Sequence, residues 1–478
     1  MVDPPVNRNI IKNKWIFKRK YDVSGKIIAY RARLVALGYS QKHGIDFDDT
    51  FSPVVRFESV RTMLAFAAQN DLYVHAMDVA NAYLNSPLRE ELYMQQPGNF
   101  VSRNKNQVCK LEKAIYGLKQ SAMCWNESFS STLKNLGFVQ SKNDNCVFTY
   151  FSDNILCILA LYVDDLMIMS NSVDFLKSVK TKLQTSYKMK DLGAVKQFLG
   201  VNITQSDGKI VLDQSHYTQK LLEKFGFSDA KSISTPVDNS LKLNVANEND
   251  EVIDIEKYQS AVGALLFLST RTRGDICFAV SNVAKYCSKP TKIHWQAVKR
   301  IFRYLKGTIN FGLCYSKNSD PCVVGYSDAD FAGDHSDRKS TSGYCFMYGN
   351  AAISWRSTKQ TCCALSTAEA EYVALSTCAQ EAIWLQKLFG DLRIPNVNPM
   401  LINEDNQSAI CLSKNNVGHG RAKHIQIKYH FIKDMVANGS ILLQYCPSAD
   451  MLADIFTKGL SSERFSRLRA LLGIIHLK

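Results

Sequence analysis

The cysteines of this chain form none of the spacings by which zinc sites are recognised. Fourteen cysteines are spread along the sequence, none of them stands in a Cys-x-x-Cys pair, and Cys362 and Cys363 are adjacent. The histidine pairs also lack the spacing of a zinc knuckle. We therefore expect reduced, mostly buried thiols in an intracellular protein.

Long hydrophobic runs and targeting segments are missing as well. The N-terminus, from Met1 to Pro5, has none of the features of a signal peptide. The longest apolar run, Ile155–Val163, is too short to span a bilayer and is followed by two aspartates. There is no internal repeat and no low-complexity tract. These absences predict a soluble, intracellular protein and exclude a fibre.

The composition is that of a soluble globular protein with an excess of positive charge. The 478 residues suffice for two or three domains with separate cores, at 46% hydrophobic and 21% charged residues. Lys and Arg outnumber Asp and Glu by 58 to 44, which gives a net charge of +14. Such an excess favours a polyanionic partner. The chain lacks an amphipathic basic helix with aromatic anchors, which argues against an acidic membrane as that partner.

The pattern along the chain changes three times. The first 235 or so residues mix strands and helices, and a polar, proline-punctuated stretch from Ser232 to Asp250 is typical of a linker. A mainly helical region follows from Tyr258 to about Gly312. After Asp320 the pattern alternates strands and helices.

One helix of the helical region, near 293–306, is basic. Lys299, Arg300, Arg303 and Lys306 recur at spacings of three and four, which places several of them on one face. This face is either a solvated surface or a surface that follows phosphates, and the second alternative is favoured by the regions on either side of the helix.

A first set of acidic residues follows hydrophobic strands in the N-terminal half. Two apolar runs flank Asp164 and Asp165, which predicts a β-hairpin with both carboxylates at its tip. Adjacent carboxylates repel each other unless a cation neutralises them. Mg²⁺ suits such a place, because it binds few protein carboxylates and keeps positions for phosphate oxygens and water. Asp78, at the end of the extended segment 72–77, is the expected partner; its alternative role is a helix N-cap.

These motifs resemble those of reverse transcriptases. The segment Tyr162–Asp165 is similar to the catalytic box of that family, and the residues around Asp78 resemble its first catalytic motif. Further segments resemble the copia-type retrotransposon enzymes in particular, in the order of that family and over nearly the whole chain: Arg31–Gln41, Thr50–Phe57, Ala114–Gln120, Met189–Gly193 and Phe198–Gly200.

The resemblance implies a multidomain protein of the α/β and α+β classes: a right-hand polymerase with fingers, palm and thumb, followed by a ribonuclease H-like domain. The expected boundaries are 8–236 for fingers and palm, 237–257 for a linker, 258–319 for a helical thumb or connection, 320–465 for the ribonuclease H-like domain and 466–478 for a basic tail. The expected partners are an RNA template, a DNA primer, an RNA–DNA hybrid and deoxynucleoside triphosphates. The expected location is the cytoplasm, in a virus-like particle, and the nucleus.

The resemblance also implies roles for individual residues of the polymerase. Asp78 and Asp164 would hold two Mg²⁺ ions, or Mn²⁺, about 3.5–4 Å apart, with weaker support from Asp165. Arg31 and Arg33 would contact the incoming triphosphate, unless they belong to a solvated charged strand. Tyr83 would place its ring against the sugar of the nucleotide and exclude a 2′-hydroxyl; its alternative role is that of a core tyrosine. Gln120 would line the pocket beside the nucleotide and the template.

A second set of acids lies in the C-terminal third. Asp328 ends an apolar strand, and Ser366 begins a long helix in which Glu369 fits a capping box. Glu371 shares a helical stripe with apolar residues that should face a sheet, where a buried carboxylate needs a partner such as a metal. Asp405 follows a strand, and Asp454 is expected in a final helix that begins at Ser448.

The order Asp, Glu, Asp, Asp on a β-β-β-α-β-α-β-α pattern resembles the ribonuclease H fold. The segments around Asp328, Glu371 and Asp454 are similar to its copia-type version, although Phe331 stands where that family usually has Trp. The resemblance implies two Mg²⁺ ions on the four acids and cleavage of the RNA strand of an RNA–DNA hybrid. His424 and His430, expected in a helix over 423–437, are six residues apart and therefore do not share a face; a proton shuttle, packing and phosphate contact are the alternatives.

Two hypotheses about activity compete. All seven acids are present, which favours an RNA-directed DNA polymerase with an associated ribonuclease H. The family also has a zinc knuckle, a protease and an integrase, which this sequence does not show, and Met1 falls inside the fingers region. We therefore expect a fragment, a processed product or a truncated copy, and the alternative is a catalytically weak remnant that binds nucleic acid.

Overall fold

The computed structural model describes residues 1–21, 26–100, 102, 104–206, 208–247, 250–317, 321–395, 398–414 and 426–477. Within these ranges, no helix has the length and apolar character needed to cross a membrane. All fourteen cysteines are free, and seven of them are buried.

The regular elements are numbered along the chain. The strands are β1 (Ile10–Ile11), β2 (Asn13–Tyr21), β3 (Ile27–Ala36), β4 (Tyr73–Val79), β5 (Pro87–Met94), β6 (Cys109–Lys113), β7 (Val139–Gln140), β8 (Val147–Ser152), β9 (Ile155–Tyr162), β10 (Asp165–Ser170), β11 (Met189–Ala194), β12 (Gln197–Phe198), β13 (Val201–Ser206), β14 (Lys209–Asp213), β15 (Phe311–Ser316), β16 (Val323–Asp330), β17 (Thr341–Tyr348), β18 (Ala351–Lys359), β19 (Met400–Glu404), β20 (Ile441–Tyr445) and β21 (Ile474–His476). The α-helices are α1 (Phe57–Gln69), α2 (Ser121–Asn135), α3 (Val173–Ser186), α4 (Ser215–Phe225), α5 (Ile255–Arg271), α6 (Cys277–Ala284), α7 (Lys292–Gly307), α8 (Thr367–Asp391), α9 (Gln407–Lys414), α10 (Gln426–Ala437) and α11 (Ser462–Leu471).

The chain forms two compact units that interleave in sequence. The first contains Met1–Arg56 and Tyr73–Ala194, and the second contains Phe57–Leu72 and Val195–Lys478. Two parts of the segment predicted as fingers and palm, 8–236, therefore belong to the second unit: the helix α1 and residues 195–236. The residues of α1 are buried almost throughout, and the helix packs against β14, β15 and β18 of the second unit. A helix that is apolar on all sides has to be buried on all sides.

The first unit is built around a six-stranded sheet in the order β11-β4-β10-β9-β8-β7. All five pairs are antiparallel. Apolar residues of the sheet and of α2 and α3 form its core, with Trp125, Phe129 and Leu183 among the buried side chains. Two smaller sheets accompany it: the hairpin β2-β3 and the three-stranded β1-β5-β6.

The second unit contains two five-stranded sheets. One has the order β18-β17-β16-β19-β20, in which β16, β17 and β18 are antiparallel and β19 and β20 run parallel to β16. The long helix α8 packs on β16 and β17. The pattern predicted after Asp320 is β-β-β-α-β-α-β-α. The described order agrees with it from β16 to β19, has two helices, α9 and α10, where one was predicted, and continues after β20 and α11 with the strand β21.

The other sheet joins distant parts of the chain in the order β12-β13-β14-β15-β21. Its strand β21 lies in the segment 466–478, which the sequence analysis describes as a basic tail, and pairs with β15 through Leu313 and Ile474. Ile474 is buried. The C-terminal segment is therefore an integral part of the second unit over the residues described.

The beginning of the segment predicted as a linker, and the residue before it, are hydrogen-bonded to the basic helix α7. Arg300 donates to Asp238 at 2.9 Å and to Thr235 at 3.1 Å, and Arg303 donates to the Lys231 carbonyl at 2.8 Å. These two arginines therefore have partners inside the protein, whereas the sequence favoured phosphate contacts for this face. The helix after the linker begins at Ile255, earlier than Tyr258, because Asp254 caps it.

Two candidate carboxylate sites

The first site places three aspartates on adjacent strands of the six-stranded sheet. Asp78 lies in β4, directly opposite Asp165 in the register of β10, and Asp164 lies in the turn between β9 and β10. The predicted hairpin is present, with Asp164 in its turn and Asp165 as the first residue of the following strand. Asp78 is a strand residue and not a helix N-cap: the 3₁₀ helix that follows, Ala82–Asn85, has Asn81 at that position.

The turn that carries Asp164 is held by specific backbone contacts. Val163 has φ +55°, a left-handed conformation that costs a β-branched residue energy. The Trp125 indole N–H donates to the Val163 carbonyl at 2.6 Å, and the Val79 N–H donates to the Asp164 carbonyl at 2.8 Å. These bonds stabilise the strained turn and fix Asp164 relative to β4.

The three carboxylates of this site repel one another electrostatically. Burial, and then the negative charges of Asp164 and Asp78, raise the pKa of Asp165 to about 6. The three carboxylates are thus close enough for their charges to interact. A divalent cation among them would remove the repulsion.

Aromatic and basic side chains surround the acids. The rings of Tyr83 and Tyr116 lie 4.7 Å apart, and the Arg33 guanidinium carbon is 5.1 Å from the centre of the Tyr116 ring. Burial, then Tyr116 and Asp164, raise the pKa of Tyr83. Burial and then the charge of Asp164 raise the pKa of Tyr116, and the opposing influence of Arg33 and Arg31 on β3 is smaller. Strand alternation places these two arginines on one face.

Tyr116 is a residue that the sequence analysis did not single out. Its carbonyl accepts from the Ala36 N–H at 2.8 Å, at the end of β3. The next residue, Gly117, has φ +95°, and a Cβ there would lie 2.0 Å from the Ala36 carbonyl oxygen. Only glycine permits this approach of the two backbones. The motif around Tyr116 was recognised, but the ring contacts that give this residue its position are visible only in three dimensions.

Gln120 lies inside the first unit. Its side chain is fully buried, accepts from the Gln41 amide at 2.9 Å and donates to the Asp46 carbonyl at 2.9 Å. Both ends of the amide are therefore bonded within the protein. The predicted role of Gln120 beside the substrate stays a prediction. These internal hydrogen bonds do not favour it, because they occupy both ends of the amide.

The second site brings together three of the four acids predicted in the C-terminal third. Asp328 on β16, Glu371 on α8 and Asp405 after β19 each offer a carboxylate oxygen, and these oxygens lie within 4.8 Å of one another. Asp328 and Glu371 are buried, and Asp405 is half-buried. The strands β16 and β19 are parallel neighbours, so their carboxyl ends meet at one edge of the sheet, where α8 brings Glu371.

The helix α8 begins as the sequence predicts. The Ser366 hydroxyl accepts from the Glu369 N–H at 3.2 Å, and the Glu369 carboxylate accepts from the Leu365 N–H at 2.6 Å. Glu371, two residues later, lies on the stripe with the buried Leu375, whereas Glu369 serves the helix start. Glu371 Oε2 is buried and has no hydrogen-bond partner among the residues that the structure describes.

The fourth predicted acid, Asp454, has a different environment. It lies in a 3₁₀ helix, Leu452–Phe456, and not in the final α-helix, which is α11. Asp454 is fully buried, with Oδ1 2.7 Å from the Lys458 ammonium and Oδ2 in contact with the Arg464 guanidinium. Lys458 is also 3.6 Å from Asp328.

A further acid, Glu404, adjoins this cluster and was missed by the sequence analysis. It is fully buried at the end of β19, and burial, followed by Asp405 and Asp328, raises its pKa well above the ordinary value. Burial and then Glu404 likewise raise the pKa of Glu371. The position of Glu404 beside Asp405 could have suggested it, but a single acid at a strand end is common.

The two histidines singled out in the sequence, His424 and His430, are not among the residues of the acidic cluster that the structure describes. His430 is an exposed residue of α10, which begins at Gln426 in the described part of the chain. His424 lies outside the described residues, so its predicted roles remain predictions.

The residues of both sites fit divalent cations. Carboxylate oxygens are the ligands that Mg²⁺ and Mn²⁺ prefer. At the second site, a buried carboxylate oxygen without a hydrogen-bond partner, on Glu371, stands beside two other carboxylates. At the first, three like charges meet at one sheet edge. Both arrangements are costly without a cation.

Comparison with known proteins identifies the family. Residues 1–239 match the family model of the reverse transcriptase (RNA-dependent DNA polymerase). The retrovirus-related Pol polyprotein from transposon TNT 1-94 of Nicotiana tabacum is 42% identical over 99% of this chain and 36% of its own length. The corresponding polyprotein from transposon RE1 of Arabidopsis thaliana is 37% identical over 98% of this chain and 32% of its own length. A transposon Ty5-1 protein of Saccharomyces cerevisiae is 35% identical over 64% of this chain and 100% of its own length.

The chain belongs to the reverse transcriptase family, in the group formed by the Pol polyproteins of copia-type retrotransposons. The resemblance seen in the sequence is thereby confirmed. The chain spans about a third of the length of the polyproteins from tobacco and Arabidopsis. The N-terminal RNase H domain of rv2228c from Mycobacterium tuberculosis, solved as a fusion with maltose-binding protein, is 13% identical over 32% of this chain and 98% of that chain, with a TM-score of 0.22. A likeness at that score adds nothing to the assignment.

Proposed function

We propose that the chain is an RNA-directed DNA polymerase whose reaction takes place at Asp78, Asp164 and Asp165. The observation that carries the proposal is the pairing of Asp78 with Asp165 across β4 and β10, with Asp164 in the adjoining turn. In this proposal the six-stranded sheet is the palm, β2 and β3 belong to the fingers, and α5 to α7 form the thumb or connection.

Asp78 and Asp164 would hold two Mg²⁺ ions, and Asp165 would support them. Bound there, the ions would supply activation of the primer 3′-hydroxyl and stabilisation of the leaving pyrophosphate. Arg31 and Arg33 would bind the triphosphate of the incoming deoxynucleotide, for which planar guanidinium groups are suited. Tyr83, whose ring lies against that of Tyr116, would place an aromatic surface beside the sugar. The template would be RNA and the primer DNA.

Primer extension on an RNA template with Mg²⁺ tests this proposal. Asp164→Asn should reduce extension to background while binding of a primer–template duplex persists. Asp174→Asn, at an exposed position at the start of α3, is the matched control and should extend at the wild-type rate. Wild-type protein that binds the duplex and does not extend it would favour the alternative of a catalytically weak remnant.

We propose a second activity, hydrolysis of the RNA strand of an RNA–DNA hybrid, at Asp328, Glu371 and Asp405. The observation in its favour is the carboxylate triad, which lies where β16 and β19 of the five-stranded mixed sheet meet α8. A divalent cation on the triad would supply activation of the attacking water. Glu371, held by α8, would orient that ion through the oxygen that has no other partner among the described residues.

The helix α8 supplies a matched pair of variants for this second activity. Glu371→Gln should abolish cleavage of the RNA strand and leave primer extension unchanged. Glu369→Gln makes the same change two residues earlier, at a buried acid that serves the helix start, and should cost about 0.5–2 kcal/mol of stability while cleavage persists. If Glu369 proves essential for cleavage and Glu371 does not, the assignment of the triad is wrong.

A further inference from the structure

The acids expected to bind metal at the nuclease site divide into two groups. Asp328, Glu371 and Asp405 face one another, with oxygens within 4.8 Å. Asp454 is not a member of that group among the described residues. Asp328 belongs to both surroundings, because its Oδ2 atom accepts a hydrogen bond from Thr457 and lies 3.6 Å from the Lys458 ammonium.

Each oxygen of Asp454 lies beside a cation of this chain. Oδ2 accepts a hydrogen bond from Arg464, and Oδ1 is at an ion-pair distance of 2.7 Å from Lys458 without a hydrogen bond among the described residues. Asp454 has no exposed surface, and a buried carboxylate requires such compensation. Lys458 follows the 3₁₀ helix Leu452–Phe456 by two residues, and its N–H donates to the Asp454 carbonyl at 3.2 Å, so this turn brings the Lys458 side chain back to Asp454. The side chain of Lys458 keeps 37% of its surface exposed, whereas the carboxylates of Asp328 and Asp454 beside it are buried.

We propose that the nuclease site of this chain takes one divalent cation, on Asp328, Glu371 and Asp405, and that the Lys458 ammonium stands between Asp328 and Asp454 in place of a second one. The inference rests on the proposed nuclease function and changes the number of ions that the family resemblance implies. Lys458 would then serve as a fixed cation beside the scissile phosphate, with Arg464 as the positioning residue that holds Asp454.

Counting Mn²⁺ ions tests the proposal independently of turnover. The full chain would carry Asp78→Asn and Asp164→Asn, which silence the polymerase site. It would be bound to a hybrid whose RNA strand is replaced by 2′-fluoro nucleotides that resist cleavage. Titration calorimetry gives the number of Mn²⁺ ions, and subtraction of an Asp328→Asn sample removes ions bound elsewhere. Electron paramagnetic resonance separates an isolated Mn²⁺ from a coupled pair.

For the protein that retains Lys458 we expect one Mn²⁺ and the spectrum of an isolated ion. We expect the same for Lys458→Arg, which keeps the positive charge. Lys458→Met should admit a second Mn²⁺ and give the spectrum of a coupled pair. Two ions at the site with Lys458 in place, no ion that depends on Asp328, or a single ion in Lys458→Met would each overturn the proposal. Cleavage of an ordinary hybrid by the same protein without the Lys458 change is measured separately: its absence would overturn the nuclease function, whatever the ion count.

Discussion

At the scale of single residues, Tyr83 is the side chain with the most specific expected effect. It is half-buried, its ring packs on Tyr116, and its pKa is raised in part by the charge of Asp164. We expect Tyr83→Ala to raise the incorporation of ribonucleotides relative to deoxynucleotides, because the space for a 2′-hydroxyl opens. Tyr83→Phe keeps the ring and should leave the ratio unchanged. The measurement is the ratio of incorporation efficiencies for one base with and without the 2′-hydroxyl.

A purely structural role for Tyr83 would give a different result. Truncation of a core aromatic costs about 3–5 kcal/mol and would impair both kinds of nucleotide equally. An unchanged ratio of ribonucleotide to deoxynucleotide incorporation, together with a lowered melting temperature, would therefore show that Tyr83 has a structural role in the core.

Tyr116 leads to a second residue-level prediction. Its ring lies under the Arg33 guanidinium and beside Tyr83. We expect Tyr116→Ala to raise the KM for deoxynucleotides by about 2- to 5-fold, the equivalent of an exposed cation–π contact of about 0.5–1 kcal/mol. Tyr116→Phe keeps the contact and should stay close to the wild-type KM. A loss confined to kcat in both variants would mean that Tyr116 does not position the arginine.

The raised pKa of Asp165 has a consequence for stability. In the folded protein it is about 6, against an ordinary value of 3.8. Between these values the folded state binds more protons than the unfolded state, so this group makes stability fall as pH rises from about 4 to about 6. Without metal, Asp165→Asn should raise the melting temperature at pH 7.5 and lose that advantage at pH 4. Mg²⁺ should reduce the difference in melting temperature between Asp165→Asn and the wild type at pH 7.5. A difference in melting temperature that is the same at pH 4 and pH 7.5 would contradict this prediction.

At the scale of elements, the helix α1 is fastened by one buried arginine. Arg61 donates to the carbonyls of Ile353 at 2.6 Å, Thr270 at 2.7 Å and Arg271 at 3.0 Å, and its guanidinium lies 3.8 Å from the Trp355 ring centre. It therefore connects α1 to α5 and β18. The sequence showed the helix, but not that its arginine would be fully buried.

Removal of this arginine should loosen the second unit. We expect Arg61→Ala to cost about 3–5 kcal/mol, because it leaves buried carbonyls without their donor and Glu58 without its ion pair. Arg356→Ala is the control: an exposed arginine of β18 whose loss should change stability by about 0.5 kcal/mol or less. Chemical denaturation followed by tryptophan fluorescence gives both values. Equal effects of the two variants would show that burial of Arg61 adds nothing to stability.

At the scale of the whole molecule, the interleaved units predict how the chain can be divided. A fragment of residues 195–478 lacks α1, which covers β14, β15 and β18. We expect this fragment to be less stable than a version with residues 57–72 fused to it, because the apolar face under α1 would meet water. Thermal unfolding of the two fragments measures the difference. Equal melting temperatures would mean that the second unit does not need α1.

The sequence by itself determined the local features of both sites. Apolar runs next to acids predicted the β9–β10 hairpin and the strand of Asp328. A capping box predicted the start of α8 and separated Glu369 from Glu371. These features depend on residues close together in the chain, whose spacing follows from strand and helix geometry. The family motifs were visible in the same way, and the comparisons confirmed the family.

Only the tertiary structure decided which side chains meet across long stretches of sequence. The helix α1 belongs to a different unit from its neighbours in the chain, the ring of Tyr116 packs on that of Tyr83, and Asp454 has two cationic neighbours. No local pattern specifies such contacts, because each depends on the packing of elements that are distant in sequence. A buried charge accepts whichever partner the fold supplies, and for Asp454 these partners are Lys458 and Arg464.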